Sequence, residues 1–191
     1  MCTLTRSSTG SQPKCSSIGN TFMSLDRLWA DWRSAYVSGG DGRDDVGCVI
    51  CNLVNAPDDT EALVLERTPE TITVMNLYPY GSGHLMVAPV RHAAAFDDFS
   101  DAANVAIARA QVRALRAIRA AYRPDGVNLG ANLGKAAGAG IPGHLHVHVL
   151  PRWTGDTNFM TSVAEARVLP ESLRTGYDKL KSVWPGVTSG A

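Results

Sequence analysis

Three of the chain's five histidines stand at alternate positions, His144, His146 and His148, in the stretch "HLHVHVLPRW". In an extended strand alternate side chains share one face at a spacing of about 6.5–7 Å. All three imidazoles then line one surface, while Leu145, Val147 and Val149 face the other. A helix would turn His146 away from its neighbours, and the valines favour a strand. Two chemistries suit such a face. Three rings can hold zinc with a position open for activated water, or one ring can attack phosphorus while its neighbours orient it. The competing reading is a polar solvent face on a half-buried strand. The glycines directly upstream, Gly134, Gly138, Gly140 and Gly143, argue for chemistry, because they let backbone amides approach an anion closely and Lys135 adds charge beside them.

Cys48 and Cys51 in "GCVICNL" have the spacing of two ligands from one zinc knuckle, which is half of a tetrahedral site. The other cysteines, Cys2 and Cys15, fall in residues 1–22, a stretch rich in serine, threonine and glycine. That stretch lacks the apolar run of a secretory signal and reads as a disordered leader; Met23, just before the first patterned segment, is an alternative start. The expected compartment is therefore the reducing cytoplasm, where a close cysteine pair points to metal or redox work and not to a disulfide framework. A thioredoxin-like role would need a strand–helix context, which the flanking residues do not supply.

The histidines need a sheet to hold them. "ALVLERT", "TITVMNL" and "HLMVAPV", separated by short polar connections, predict an antiparallel meander. "GVNLGANLG" predicts a strand running into the glycine-rich loop, and the histidine segment is the strand after it. Between these groups, Val105, Ala108, Val112, Leu115 and Ile118 repeat at helical spacing from Ser100 to Tyr122, with arginines on the other face and Pro124 and Gly126 beyond the end. Leu25, Leu28, Trp29, Trp32 and Tyr36 predict an N-terminal helix capped by Ser24 or Asp26; Leu173, Tyr177, Leu180 and Trp184 predict a terminal one. With 45% of its 191 residues apolar, the chain can bury one core but hardly two. The expected fold is α+β: a mostly antiparallel five-stranded sheet, a long helix on one face and helical extensions at both ends. One domain spans 23–191, with its core at about 48–160. Eighteen basic residues balance eighteen acidic ones, which excludes a bulk electrostatic footprint for nucleic acid or anionic membrane but leaves room for a locally cationic pocket. No apolar run approaches the roughly 20 residues of a membrane span.

The segment His144-Leu145-His146-Val147-His148-Val149-Leu150 resembles the signature of the histidine triad (HIT) superfamily, His-φ-His-φ-His-φ-φ with φ apolar, and fits it at every position. "NLYPYGSGHLMVAPVRH" is similar to the family's ribose-binding strand and the one after it, and "NLGKAAGAGIPG" to its phosphate-binding approach. "PRWTGDTNFM" and the terminal helices resemble bacterial HIT proteins of the diadenosine tetraphosphate (Ap4A) phosphorylase type. The resemblance implies a HIT-like fold and a nucleotide or dinucleoside polyphosphate substrate, with His146 as the nucleophile that becomes nucleotidylated at the α-phosphate. It implies His148 as the group that bonds that phosphate or fixes the tautomer of His146, and Asn132 as a phosphate-oxygen partner. It also implies Asn76 at the ribose hydroxyls, His84 near the phosphates, Gly138 and Gly140 in the phosphate loop, and a homodimer. Many HIT proteins and the related galactose-1-phosphate uridylyltransferases complete a structural zinc site with a downstream histidine and the first triad histidine, here His92 and His144 beside Cys48 and Cys51. No organic cofactor is implied.

The chain departs from the pattern where short HIT hydrolases carry glutamine followed by serine or threonine: Gly140 and Ile141 stand there. The acceptor, water or inorganic phosphate, and the assistance to the leaving group stay open. Two rival functions share these residues: a nucleotide-binding adaptor with little turnover, and a zinc hydrolase that uses all three triad histidines as ligands.

Overall fold

The structure, a computed structural model, describes residues 47–156 and 171–188. The leader, the helix expected over 24–37 and most of the polar connection after Trp153 lie outside the described residues.

Five strands form one antiparallel sheet: β1 (Val64–Arg67), β2 (Thr71–Met75), β3 (Leu85–Pro89), β4 (Gly126–Gly130) and β5 (Val147–Arg152), in the order β1-β2-β3-β5-β4. The expected meander supplies the first three. β5 then inserts between β3 and β4, so it has a ladder partner on each side. It begins at Val147, so of the three histidines expected on one strand only His148 lies in it. His144 and His146 precede it, where the amides of His144 and Leu145 bond to the carbonyls of Ile141 and Ala93 instead of a ladder. The α+β expectation holds.

A short helix, α1 (Val49–Val54), precedes β1 and has Cys48 at its N-cap. The long helix α2 (Asp101–Tyr122) starts where the Ser100 hydroxyl accepts a bond from the Ala103 amide and ends at Arg123, whose φ of 46° is left-handed. Its buried face differs from the expected stripe. Ile107, Ala110, Ala114, Ala117 and Ile118 are buried, whereas Val105 and Val112 are 49% and 46% exposed. Alanines form the inner face because small side chains let the helix lie close to the sheet; the bulk of the valines marked the wrong phase. The arginines are not uniformly solvated either, since Arg113 is half-buried and pairs with Glu66 at 2.8 Å.

The C-terminal helix α3 (Leu173–Thr188) buries Tyr177, Leu180 and Trp184, with Leu173 half-buried against the same core, on the face of the sheet that α2 covers. The Tyr177 hydroxyl and Lys181 ammonium donate to the carbonyls of Val64 and Leu65, which satisfies backbone groups on the edge strand β1. The other face carries Ile72, Val74, Met86 and Ala88 under α1. No helix among the described residues is long and apolar enough to cross a membrane.

Arg67 locks α1 to the sheet. Its guanidinium donates to the carbonyls of Val54 at 2.6 Å, Leu53 at 2.8 Å and Ala56 at 3.3 Å, and its Nε pairs with Asp59 at 2.5 Å. The Leu53 and Val54 carbonyls end α1 and that of Ala56 lies just past it, and a cation is the favoured partner at a helix C-terminus. Arg67→Ala is expected to lower unfolding free energy by about 1–2 kcal/mol, with Arg67→Lys recovering less than half, as read by chemical denaturation.

Candidate functional site

Each triad histidine has a backbone or side-chain partner whose hydrogen-bonding role is known, so the protonated nitrogen of each neutral ring follows. His144 is buried, and its Nε2 lies 2.8 Å from the Pro89 carbonyl, which can only accept. Nε2 therefore carries the proton, and the Nδ1 lone pair faces the sulfurs of Cys48 and Cys51. Burial lowers the pKa of His144, which favours this neutral form. His146 is also buried. Its Nδ1 donates to the carbonyl of His144 at 2.8 Å, so neutral His146 holds its lone pair on Nε2.

His148 is fixed from the neighbouring strand β3 and the turn before it. The Tyr80 amide donates to Nδ1 of His84 at 3.0 Å, so His84 is neutral with its proton on Nε2. That proton is donated to Nδ1 of His148 at 2.9 Å. His148 is left with its own proton on Nε2. Burial, with His146 adding to it, lowers the His148 pKa to about 4, in keeping with a neutral ring. His146 and His148 stand edge to face with ring centroids 5.1 Å apart, one ring with its lone pair on Nε2 and the other with an N–H there.

Four donors gather on the far side of His144. Cys48 Sγ lies 3.3 Å from His144 Nδ1, Cys51 Sγ lies 3.6 Å from the same nitrogen, and Cys51 Sγ lies 3.3 Å from His92 Nδ1. Donor atoms of a tetrahedral zinc site, with metal–sulfur bonds of about 2.3 Å and metal–nitrogen bonds of about 2.0 Å, stand about 3.3–3.8 Å apart. The observed separations match these edges. The ligand atoms of Cys48, Cys51, His92 and His144 all lie within 4.8 Å of one another, so the four could hold a metal ion, and His146 and His148 are outside the cluster. Burial, and then Cys48, raise the thiol pKa of Cys51, a bias that a bound cation would reverse. The Pro89 carbonyl is the outer partner that orients a ligating imidazole.

The remaining expected residues are more loosely placed. Asn76 is buried; its Oδ1 accepts from the Tyr78 amide at 2.9 Å, an Asx turn, and Nδ2 reaches to 3.5 Å from His84 Nδ1. Gly130 pairs with His148 across the ladder, and Asn132 follows two residues on. Gly138 closes a 3₁₀ turn, Lys135–Ala137, with a φ of 88°, and Gly140 is exposed on the way to His144. Among the described residues, no hydrogen bond joins Asn132, Gly138 or Gly140 to the histidines. Ile141 packs against the core beneath α1. Three partners had no sequence signal: the Pro89 carbonyl, the Tyr80 amide and the His144 carbonyl are main-chain atoms of any residue type.

An antiparallel sheet whose penultimate strand, with the residues leading into it, presents a lone-pair imidazole packed against an N–H imidazole, with a Cys–His cluster behind, defines the histidine triad class. The chain belongs to the HIT family: residues 58–155 match the HIT domain. It is 36% identical to the AP-4-A phosphorylase of Mycobacterium tuberculosis over 165 residues, 84% of this chain and 85% of that protein. A crystal structure of a zinc-bound histidine triad family protein from Mycobacterium smegmatis is 25% identical, with a TM-score of 0.62 over 76% of this chain and 99% of that one. A hypothetical histidine triad nucleotide-binding protein from Sulfolobus tokodaii, 24% identical with a TM-score of 0.57, covers 74% of this chain and 92% of that one and shares the fold.

The depressed pKa of His148 has a defined sign. Its folded value lies below the ordinary 6.5, so its contribution to stability is present above pH 6.5 and is lost as pH falls through about 4. The ring-proton NMR shifts of His148 are expected to stay constant from pH 8 to about 5 and to titrate near 4. The acid slope of thermal stability is expected to flatten in His148→Gln.

Proposed function

We propose that this chain is a nucleotidyl transferase that cleaves diadenosine polyphosphates by phosphorolysis through an intermediate on His146. The observation that carries this reading is the His146 lone pair, fixed on Nε2 by the Nδ1–H bond to the His144 carbonyl, with the ring of His148, protonated on its own Nε2, packed against it. In the first step Nε2 attacks the α-phosphorus, an N–P bond forms and the P–O bond to the leaving polyphosphate breaks. His148 Nε2–H donates a hydrogen bond to the α-phosphate oxygen as charge builds there. In the second step an acceptor oxygen attacks the same phosphorus and the N–P bond breaks, returning the imidazole. The likeness to a mycobacterial AP-4-A phosphorylase supports phosphate as that acceptor and Ap4A as the substrate.

Asn76 keeps a second lone pair on Oδ1 for a ribose hydroxyl, and Asn132 with the amides around Gly138 and Gly140 lies on the approach to the phosphates. Cys48, Cys51, His92 and His144 would hold a structural zinc in a closed site that ties α1 to the histidine strand; the zinc-bound mycobacterial relative supports that assignment. Reduced thiols at such a site suit the cytoplasm. The homodimer reading draws on β4 as a sheet edge with Leu129 exposed, Leu133 exposed just beyond it, and Val105 and Val112 exposed on α2.

With Ap4A and inorganic phosphate, the expected products are ADP and ATP; AMP and ATP would instead mark water as acceptor. His146→Ala is expected to lose at least about 1000-fold in kcat and to trap no labelled adenylate. Tight Ap4A binding without consumption by water or phosphate would leave the adaptor reading in its place. Elemental analysis is expected to find about one zinc per chain, lost in Cys51→Ala and in His92→Ala but retained in His146→Ala. Zinc lost from His146→Ala would restore the triad-ligand reading.

A further inference from the structure

The turn that leads into His84 is shaped around an aromatic ring from the end of α2. Gly83 is buried with a φ of 71°, and a Cβ built on it would stand 2.6 Å, 2.9 Å and 3.1 Å from three carbons of the Tyr122 ring. The chain therefore rests on the Tyr122 ring at a residue that has no side chain to keep it away. His84, the next residue, is itself fully buried and holds Nδ1 of His148.

Tyr122 is in turn held from the C-terminal side. Its hydroxyl donates to the Glu171 carboxylate at 2.5 Å, and the Lys179 ammonium pairs with Glu171 at 3.0 Å while standing 4.5 Å from the centre of the Tyr122 ring. Gly176 in α3 makes room for the hydroxyl, since a Cβ there would lie 3.0 Å from it. Burial and the adjacent carboxylate push the phenol pKa upward, so the donor keeps its proton. Trp153, just after β5, packs edge to face on the same ring, with centroids 6.2 Å apart.

We propose that Tyr122 is a positioning residue: braced by Glu171 and Lys179, it sets the Gly83–His84 turn and thereby the proton placement on His148. The path runs from α3 through the Tyr122 ring to Gly83, then through the His84 imidazole to His148. Its bearing on turnover rests on the nucleotidyl-transfer reading; its bearing on His148 does not. A ring that merely filled the core would stabilise the fold without controlling which nitrogen of His148 carries the proton.

The test is the ¹⁵N pattern of the His148 ring in the free protein, joined to kinetics on Ap4A with phosphate. In the wild type, Nδ1 is expected to show the unprotonated shift and Nε2 the protonated one. Tyr122→Ala, and Tyr122→Leu as the variant that keeps more volume, are expected to average the two nitrogens and to lower kcat about tenfold, with KM changed less than about threefold. Tyr122→Phe keeps the ring on Gly83 but loses the bond to Glu171, and is expected to show a pattern between those of the wild type and Tyr122→Leu. A folded Tyr122→Leu with the wild-type pattern, or a wild type with the proton on Nδ1, would overturn the proposal. A wild type that shows the expected pattern but never consumes Ap4A would leave this proposal standing and overturn the function proposed above.

Discussion

His144 is the junction on which the rest of the site depends, because its ring and backbone hold four separate parts in one place. Its amide donates to the Ile141 carbonyl, its Nε2–H to the Pro89 carbonyl, its Nδ1 faces two sulfurs, and its own carbonyl receives the proton of His146. A displacement of His144 would be felt at once by the Cys–His cluster, by the end of β3 and by the lone pair of His146. The neighbouring backbone reinforces it, since the Leu145 amide donates to the Ala93 carbonyl, the residue after His92. His92 and His144, two members of the Cys–His cluster, are thus tied together through the backbone.

The sheet divides its labour between faces. On one, α2 and α3 bury Leu65, Met75, Leu85, Val87 and Val149 in a core that includes the inward residues of the histidine strand. On the other, α1 covers Ile72, Val74, Met86 and Ala88 and brings the cysteines to His144. The alternation of β5 is what lets one strand serve both: Val147 and Val149 contribute hydrophobic burial while His148 between them faces His84 and His146.

Much of this was legible in the sequence, for reasons that can be stated. The strands and their meander followed from short apolar runs between turn residues, and the gathering of Cys48, Cys51, His92 and His144 followed from the family resemblance. The inner face of α2 was misread because alanine carries little hydrophobic bulk, although its spacing at 110, 114 and 117 was there to be seen. The proton placements were illegible for a deeper reason. They depend on carbonyls of Pro89 and His144 and on the Tyr80 amide, and a backbone group leaves no trace in residue identity. Long-range packing such as Tyr122 on Gly83 was equally hidden, since nothing local marks which aromatic a glycine will meet.

The pairing of Met86 with His148 and of Val87 with Val147 has a consequence for evolution of the chain. A strand that slips by one residue exchanges its two faces, so a slip of β5 would turn His148 toward the hydrophobic core and Val147 and Val149 away from it. The bonds from His148 to His84 and from His144 to the Pro89 carbonyl cross between this strand and the β3 side, and both fail in any other register. The site thus acts as the alignment mark of its own sheet. Substitutions that erase the histidines would loosen strand pairing along with chemistry, and a lineage that abandoned the reaction would still have reason to keep them.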